Sequence, residues 1–414
     1  MKVNSIKGKY IAILTQYFYP DLPGTAKIAR DLAVGFAKYG CTVNVYTGTP
    51  AYSVANDTSN QLLTDEIRVK RSYSPNLSRS GNFSRLLNTF LVAVSISFRL
   101  FWEKNNIIIV DSTSPFLLSI VPWIRLIKKT PYIVIIHDVY PEIAIKLGVI
   151  PKKSILAYIW RTIYKIVYRL SSKIVVLGPH MEEIVSRDFD QKTKDKIAVI
   201  PNWADESIVK ASPIYKEQLK KQFGFENLFI VIYSGNMGLT HDIETILKSA
   251  EKLKENRKIL YLLIGGGGQY DSSIKFIADK GLGNVKILPY QPEDIFPKYL
   301  ACSDVSLVTL AQGMQGLSVP SKIYSSLAAG SPIIGILDGV SEVANIINEG
   351  ECGYVCKPGD VDTLVDSVQS LYFDEFKVEK MSVNARREFD KKYSREIGVN
   401  KHINLVKSVL SENI

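Results

Sequence analysis

The feature that most constrains the fold of this chain is a short apolar strand followed by a glycine-bearing loop and a helix, an order that occurs in both halves. In the first half, the apolar run Tyr10–Leu14 leads through a loop with Pro23 and Gly24 into a helical stretch, Lys27–Tyr39, and a second apolar run, Thr42–Tyr46. Strands that alternate with helices form parallel sheets covered by helices. The first half therefore predicts a doubly wound parallel α/β sheet.

The second half repeats this order. The apolar run Leu228–Tyr233 leads through the loop Ser234–Thr240 into a helical stretch, Asp242–Leu253. A further run, Leu260–Ile264, precedes four consecutive glycines and the helical stretch Asp271–Lys280. Other apolar runs of strand length occur along the chain: Ile107–Val110, Tyr132–Ile136, Lys173–Leu177, Val285–Leu288, Val305–Leu310 and Pro332–Ile336. The pattern predicts two such sheets in tandem.

The chain is long enough for two domains, since 414 residues exceed the usual size of one. We expect an N-terminal Rossmann-like domain over residues 1–205 and a C-terminal one over residues 206–392, with the boundary in Pro201–Ser212. A helix at about residues 393–414 is expected to pack back on the first domain. Ligands bind at the carboxyl ends of parallel strands, so two domains facing across a cleft would hold a ligand there.

Composition and the first residues indicate a cytoplasmic protein. Four cysteines do not supply a disulfide framework. The first apolar run, Ile11–Thr15, is too short for the core of a signal peptide. The longest apolar stretch, Leu86–Trp102, is interrupted by polar residues and by Arg99. We therefore expect no transmembrane helix.

Net positive charge is confined to the first half. The whole sequence carries +10, whereas residues 1–200 hold 27 basic and 14 acidic residues, a net charge of +13. Such asymmetry indicates an anionic partner, either nucleic acid or a membrane surface, although a lysine-rich composition alone would also produce it. The basic and aromatic recognition modules of nucleic-acid binders are missing. We therefore expect no nucleic acid and favour an anionic membrane surface.

Motifs for dinucleotides and metals are incomplete. The run Gly265–Gly268 lies between a strand and a helix, but Tyr270 occupies the place of the third fingerprint glycine, and the acidic residue expected about 20 positions later is missing. A tight strand-to-helix turn is the better interpretation. Of the two D-x-D triplets, the one at Asp360 reads as a capped helix start and the one at Asp188 as charged surface. We expect no metal site.

Five segments carry a family resemblance, in this order along the chain: ILTQYFYPDLPGTAKIARDLAVGFAKYGCTVNVYTGTPAY, HDVYPEIAIKLG, VIPNWAD, YSGNMGLTHDIETILKSA and VPSKIYSSLAAGSPII. Over about residues 8–400 the chain resembles glycosyltransferase family 4, and within it the bacterial O-antigen and exopolysaccharide sugar transferases with a PSK motif. The resemblance implies a GT-B fold, a nucleotide-sugar donor, retention of anomeric configuration, and no required metal or other cofactor. On family grounds UDP is the favoured nucleotide.

The leaving group suggests where the donor binds. A diphosphate that gains negative charge is stabilised by backbone amides, helix N-termini and a cation. Three glycine-bearing turns before helices could supply such groups, and each could also be an ordinary turn. The predicted donor residues in these turns are Gly24, Thr25, Gly235, Asn236, Gly238, Gly316, Leu317, Ser318 and Ser321. Tyr290 is expected to stack on the donor base, unless it is a core tyrosine at a strand end.

Two features of the family are missing from this chain. The positions of the two glutamates that most of the family carries hold Leu317 and Ser325. The loop from Gly238 to His241 lacks the usual pair of basic residues. We expect Ser325 to hydrogen-bond the donor as a shorter, neutral group, and Lys322 of the PSK triplet to replace the missing cation.

A histidine and two acidic residues follow the apolar run Tyr132–Ile136. The resemblance implies that groups here contact the sugar and the acceptor. We expect His137 to contact the donor sugar and Asp138 to orient the acceptor hydroxyl. Glu142 is a further catalytic candidate that could instead cap the next helix. The resemblance also implies that the leaving phosphate takes the acceptor proton, so no dedicated protein base is expected.

The stretch Ser154–Ser171 predicts an amphipathic helix on the acceptor face. Its stripes are apolar (Ile159, Ile163, Ile166 and Leu170), basic (Arg161, Lys165, Arg169 and Lys173) and aromatic (Trp160, Tyr164 and Tyr168). Basic and aromatic stripes beside an apolar face are typical of helices in a membrane interface. The apolar face could equally pack on the sheet. We favour contact with an anionic membrane, and a lipid diphosphate-linked saccharide as acceptor.

Together these features predict a metal-independent glycosyltransferase. It would move a hexosyl or aminohexosyl unit from a nucleotide sugar to a lipid-linked saccharide in bacterial surface polysaccharide synthesis, on the inner face of the cytoplasmic membrane. A nucleotide-sugar epimerase or a phosphorylase on the same fold stays open, although no pyridoxal site marks the latter. A degenerate nucleotide-sugar-binding protein without activity would explain the loss of both glutamates.

Overall fold

The computed structural model describes residues 6–21, 24–50, 64–72, 82–205, 207–208 and 210–412, and in residues 82–88 only the backbone. Two compact units are formed by Met1–Pro201 together with Glu396–Ile414, and by Asn202–Arg395. Pro23 of the first predicted donor turn, and residues 413–414 of the predicted C-terminal helix, lie outside the described residues.

Within the described residues, the first unit is built on a seven-stranded parallel sheet in the order β3-β2-β1-β4-β5-β6-β7. Its strands are β1 (Tyr10–Leu14), β2 (Thr42–Thr47), β3 (Ile67–Arg71), β4 (Ile107–Asp111), β5 (Tyr132–Ile135), β6 (Lys173–Val176) and β7 (Ile197–Val199). Every residue of β4 and β5 is buried, as expected for the apolar runs IIIV and YIVI, and Asp111 at the end of β4 is buried as well. The order reverses between β1 and β4, so the carboxyl ends of these strands flank the switch point of the sheet.

Seven helices of the described chain connect these strands. They are α1 (Gly24–Lys38), α2 (Asn82–Trp102), α3 (Pro115–Lys128), α4 (Glu142–Lys146), α5 (Ile155–Leu170), α6 (Pro179–Ser186) and α7 (Gln191–Lys194). Ser114 and Ser154 begin α3 and α5 by accepting the N–H groups of Leu117 and Ala157. Asp190, in the first D-x-D triplet, caps α7 in the same way.

The second unit has a six-stranded parallel sheet among its described residues, in the order β10-β9-β8-β11-β12-β13. Its strands are β8 (Phe229–Asn236), β9 (Ile259–Gly266), β10 (Val285–Leu288), β11 (Val305–Thr309), β12 (Ile333–Ile336) and β13 (Gly353–Cys356). One apolar core, which includes Tyr233, Tyr261 and Leu263, lies between this sheet and its helices.

The helices of the second unit are α8 (Pro213–Phe223), α9 (Ile243–Lys252), α10 (Tyr270–Lys280), α11 (Phe296–Cys302), α12 (Lys322–Ala328), α13 (Glu342–Glu349), α14 (Val361–Tyr372) and α15 (Glu375–Glu388). A π-helical turn, Phe389–Tyr393, follows α15. Asp360 accepts the Thr363 N–H at the start of α14, which confirms the helix-cap interpretation of the second D-x-D triplet.

The last helix, α16 (Arg395–Glu412), belongs to the first unit from Glu396 onward. It packs so closely on α1 that a Cβ atom at Gly35 would overlap with Val399. The Lys407 ammonium lies 4.4 Å from the centre of the Tyr39 ring. Burial lowers the pKa of His402, and the nearby His137 adds a smaller effect in the same direction. The end of the chain therefore completes the region around His137.

Two edge strands, β3 and β13, were not expected from the sequence. β3 has the sequence IRVKR, with three basic residues, and β13 has the short sequence GYVC, which begins with a glycine. Edge strands have only one neighbour and can face water, so their sequences need not be apolar throughout. No helix in the described part of the chain is long and apolar enough to span a bilayer.

Candidate active site

The Lys322 side chain runs from the start of α12 to the end of β8. Its ammonium donates to the backbone oxygen of Asn236 and to Nε2 of His241, each 3.2 Å from Nζ. It also lies 4.9 Å from the centre of the Tyr233 ring. Burial lowers the pKa of Lys322 to about 7. The predicted cation therefore lies against the predicted donor turn 235–238.

Glycines let the backbone pack tightly beside this lysine. A Cβ atom at Gly235, where φ is +116°, would approach Cε of Lys322 to 2.9 Å. Gly267 has φ of +131°, and a Cβ there would overlap with Oδ1 of Asn236. Since β9 ends and α10 begins within a few residues, the run 265–268 is a tight strand-to-helix turn, as predicted.

Tyr290 lies on this glycine turn. Its hydroxyl is 3.5 Å from the backbone oxygen of Gly266, and 47% of the side chain is exposed. Tyr290 is therefore not a core tyrosine, and its stacking on a nucleotide base stays a prediction. Gln269 fixes the adjoining loop, because its Nε2 donates to the backbone oxygens of Gly238 at 2.6 Å and His241 at 2.9 Å.

The positions that replace the family glutamates have different surroundings. Leu317 is buried, and its N–H donates to the backbone oxygen of Met314 at 3.0 Å. The Ser325 hydroxyl donates to the backbone oxygen of Lys322 at 3.0 Å. The Ser325 proton is thus used within α12, which leaves its oxygen lone pairs as acceptors.

The remaining predicted donor residues begin helices or lie in the loop before one. Gly316 has φ of +69°, and Ser318 is half-buried. Ser321 is exposed and precedes α12 without a side-chain cap bond. In the first unit, Gly24 and Thr25 are the first two residues of α1.

A hydroxyl fixes the backbone of His137 and Asp138 in the first unit. Ser112, just after β4, accepts the N–H groups of His137 at 3.0 Å and Asp138 at 3.2 Å. Its own hydroxyl donates to the backbone oxygen of Asp138 at 3.2 Å. Burial lowers the pKa of His137, while the charges of Asp111 and Asp138 partly offset this. His137 Nδ1 is buried and makes no hydrogen bond within the described chain.

Glu142 forms an ion pair with Arg161. The Glu142 Oε1 atom accepts from Arg161 Nε at 2.8 Å, and both side chains are about one-third exposed. The N-cap of α4 is Pro141, without a side-chain cap bond, so Glu142 does not cap this helix. Two residues predicted for different roles therefore bind each other.

The predicted orientation of α5 was wrong for its aromatic stripe. Trp160, Tyr164 and Tyr168 point inward and form an edge-to-face ladder, with Trp160 stacked on Tyr140 at 5.8 Å. Interlocked rings bury more apolar area than isoleucines and add favourable ring geometry. The basic stripe is partly engaged as well, because Lys165 forms a 3.1 Å ion pair with Asp188, whereas Arg169 is exposed.

The apolar stripe of α5, for which packing on the sheet was the alternative to membrane contact, is largely exposed: Ile159, Ile163 and Ile166 are each more than one-third exposed. Helix α3 packs against both α2 and α5, and all three helices carry exposed apolar residues. We call these residues together the three-helix apolar face. This three-helix apolar face comprises Phe98, Trp102, Trp123, Leu126, Ile127, Ile155, Ile159, Ile163 and Ile166. Exposed apolar patches of this kind mark interaction sites.

Two groups of the site were missed from the sequence. His241 was noted only as the end of a loop that lacks the usual basic pair. Its position directly before Asp242, the N-cap of α9, was a usable signal. Ser112 follows the apolar run of β4, and the polar residues at that strand end were a usable signal.

Comparison with known proteins covers both units. The model for Glycosyltransferase Family 4 matches residues 23–208, and the model for Glycosyl transferases group 1 matches residues 215–388. WbjE of Pseudomonas aeruginosa, named as a glycosyltransferase, is 29% identical over 337 residues, which cover 81% of this chain and 82% of WbjE. WcaI of Escherichia coli K12, whose name assigns it to colanic acid biosynthesis, is 24% identical and covers 85% of this chain and 89% of its own length.

The fold is shared with solved glycosyltransferases. Sucrose-phosphate synthase from Thermosynechococcus elongatus superposes with a TM-score of 0.79 at 16% identity, over 98% of this chain and all of that one. HepE of Anabaena, solved with UDP-glucose, has a TM-score of 0.73 at 16% identity, over 96% and 99% of the two chains. The chain therefore has the GT-B fold of these proteins, and its N-terminal unit matches the Glycosyltransferase Family 4 model while its C-terminal unit matches the Glycosyl transferases group 1 model.

Proposed function

We propose that this glycosyltransferase moves a hexosyl or aminohexosyl unit from a nucleotide sugar to a lipid-linked saccharide in surface polysaccharide synthesis, with retention of configuration and without a metal. The observation that carries the proposal is the Lys322 ammonium at the glycine-lined end of β8. A cation at the carboxyl end of a parallel strand suits a diphosphate. The names of WcaI and of the HepE complex with UDP-glucose support a polysaccharide product and a UDP-sugar donor.

The donor is assigned to the second unit. Lys322 would neutralise the charge that develops on the leaving diphosphate, and Gly235 would let the diphosphate approach the backbone. Tyr290, half-exposed on the glycine turn, would stack on the base. Ser325 would accept a hydrogen bond from the ribose, since its own proton is donated to α12.

The sugar and acceptor are assigned to the first unit. His137 carries a buried Nδ1 without a hydrogen bond in the described chain, which suits a contact with a sugar hydroxyl. Asp138, held through its backbone by Ser112, would orient the acceptor hydroxyl. Glu142 is the weaker candidate because Arg161 already binds its carboxylate.

Membrane contact is assigned to the three-helix apolar face rather than to the basic and aromatic stripes of α5. Trp102 and Trp123 are more than 60% exposed on this face, and tryptophan favours the membrane–water interface. The net charge of +13 on residues 1–200 complements an anionic leaflet. The face would hold the enzyme on the cytoplasmic surface, next to a lipid-linked acceptor.

One substitution pattern favours a second candidate function. Leu317 is buried and apolar, and Ser325 is committed to its own helix, so neither reproduces a glutamate. A nucleotide-sugar-binding protein without transfer activity would have the same residues.

The test separates these functions. The purified chain is incubated with UDP-, GDP- and dTDP-sugars and a synthetic polyprenyl diphosphate-linked N-acetylglucosamine, with and without EDTA. We expect a new disaccharide that keeps the anomeric configuration of the donor and forms equally in EDTA. Donor binding without product would favour the binding protein, and donor conversion without acceptor would favour an epimerase.

A further inference from the structure

The surroundings of Lys322 have a consistent hydrogen-bond pattern. His241 Nδ1 lies 2.8 Å from the backbone oxygen of Thr309. A carbonyl oxygen can only accept, so Nδ1 carries the proton of the neutral imidazole. Nε2 therefore presents a lone pair, and Lys322 donates to it.

His241 is anchored on both sides. The next residue, Asp242, donates its N–H to Thr309 Oγ1 at 2.9 Å, and the backbone oxygen of His241 accepts from Gln269 at 2.9 Å. Burial, together with the nearby Lys322 charge, lowers the pKa of His241 to about 3. The imidazole stays neutral throughout the physiological range and acts as a fixed acceptor.

The groups that face the ammonium are neutral. They are the Asn236 carbonyl, the His241 imidazole and the ring of Tyr233, whose hydroxyl donates to the same carbonyl at 2.7 Å and whose pKa burial raises well above its usual value. Asp242, the acidic residue that directly follows His241, caps α9 and accepts from the Gly359 N–H.

We propose that His241 is a positioning residue that holds the Lys322 ammonium at the end of β8. We further propose that the Lys322 amine takes up a proton when a nucleoside diphosphate binds there. This inference rests on the proposed donor site. It adds to that site His241, which does not touch the substrate, and a proton that binds to the Lys322 amine together with the ligand.

The proton follows from linkage between two binding events. In the empty site burial holds the pKa of Lys322 at about 7, so about half of the molecules carry this proton at pH 7. A diphosphate beside the amine favours the ammonium and raises its pKa. We expect uptake of about half a proton at pH 7 and close to one at pH 8.5, with affinity falling by up to about tenfold per pH unit above 7.

Isothermal titration calorimetry tests the inference. UDP is the probe, with GDP, dTDP and ADP in parallel, at pH 7 to 9 in buffers of different ionisation enthalpy. This range avoids the ionisation of the terminal phosphate, which occurs near pH 6. The variants are Lys322→Met, His241→Ala and His241→Gln. Lys275→Ala, an exposed lysine of α10, is the matched control.

The expected results separate positioning from folding. Lys322→Met loses the proton uptake and weakens UDP binding by about tenfold or more, as for a charge-assisted contact. His241→Ala weakens binding and takes up less of a proton, since water reaching the ammonium returns its pKa toward 10.5. His241→Gln offers an acceptor oxygen in place of Nε2 and keeps both properties. Lys275→Ala matches the wild type.

Two results would overturn the inference and leave the proposed function standing. One is binding of UDP by the wild type without proton uptake at pH 8.5. The other is wild-type affinity and proton uptake in a variant: in His241→Ala this would show that His241 does not position the ammonium, and in Lys322→Met it would put the diphosphate elsewhere. A wild-type chain that binds none of the four nucleotides and transfers no sugar would overturn the proposed function, and this inference with it.

Discussion

A Cβ atom at Gly267 would overlap with Oδ1 of Asn236, a residue 31 positions earlier at the end of the neighbouring strand. The two strand ends can lie this close only because position 267 has no side chain and a φ of +131°. The adjacent Gly268 has open space where a Cβ atom would lie, and its φ is not in the left-handed region. These neighbours form a matched pair for testing the donor turn.

Gly267→Ala is expected to weaken UDP binding by about tenfold or more, because the end of β8 that receives Lys322 must move. Gly268→Ala should bind UDP within about twofold of the wild type, since no atom of the described residues lies within 4 Å of its Cβ position. Calorimetry on both variants checks this. Equal affinities would show that the turn is not part of the donor site.

Lys322→Met is expected to raise the melting temperature of the empty protein by a few degrees at pH 7, because a buried amine is replaced by an apolar side chain of similar length. The pKa of Lys322 is about 7 in the folded chain and 10.5 in the unfolded one, so the unfolded chain holds more protons between these values. Wild-type stability therefore rises with pH across this window. Thermal melts should therefore show a smaller difference in melting temperature between Lys322→Met and the wild type at pH 9.5 than at pH 7. A lower melting temperature for the variant at both pH values would contradict this.

His402 is expected to make the protein sensitive to acid. Burial lowers its pKa to about 4 from 6.5, so the unfolded chain binds more protons between these values. Stability from this group is complete above pH 6.5 and is lost as the pH falls toward 4, by up to about 3 kcal/mol. In urea unfolding, the free energy of unfolding of His402→Gln should fall less than that of the wild type as the pH is lowered over this range. Parallel pH profiles would rule out His402 as a source of the acid sensitivity.

Trp123→Glu is expected to weaken binding to vesicles of phosphatidylcholine and phosphatidylglycerol by about tenfold, because a charged group replaces an interfacial ring. Phe376→Glu is the control, since Phe376 is 91% exposed but lies on α15 of the second unit. Vesicle co-sedimentation at low salt measures both. If both variants bind like the wild type, the three-helix apolar face does not contact the membrane.

His137→Ala is expected to lower kcat of sugar transfer by about 100-fold, because it removes a group that contacts the reacting sugar. Glu142→Gln should lower it far less and change stability by under about 1 kcal/mol, because its ion pair with Arg161 is partly exposed. Steady-state transfer rates and urea unfolding provide the comparison. A larger loss in Glu142→Gln than in His137→Ala would reverse the assignment of the two residues.

Most central strands could be predicted because parallel strands buried on both faces are continuous apolar runs, as in β4 and β5. The edge strand β3 could not, because three of its five residues are basic. The role of Asp360 as a helix N-cap could be predicted from its D-x-D triplet, because an N-cap side chain contacts only the next three residues.

Contacts between distant residues limited prediction of the site. Periodicity separates the stripes of α5, but it does not say which stripe faces inward, and the interlocking of Tyr164 with Tyr168 and Trp160 decides that. The pairing of His241 with Lys322 joins residues 81 positions apart. Neither residue has a local pattern that indicates the other.

The return of α16 to the first unit has a consequence for synthesis of the protein. The residues of α16 from Glu396 onward are translated only after all of Asn202–Arg395, which at ordinary elongation rates takes roughly 10–40 seconds. The second unit is contiguous and can fold as it emerges. The nascent first unit must wait through that interval with the surface around Gly35 and His137 still lacking its final helix. A chain stalled before residue 396 would therefore carry every strand of both sheets and still expose that surface to chaperones and proteases.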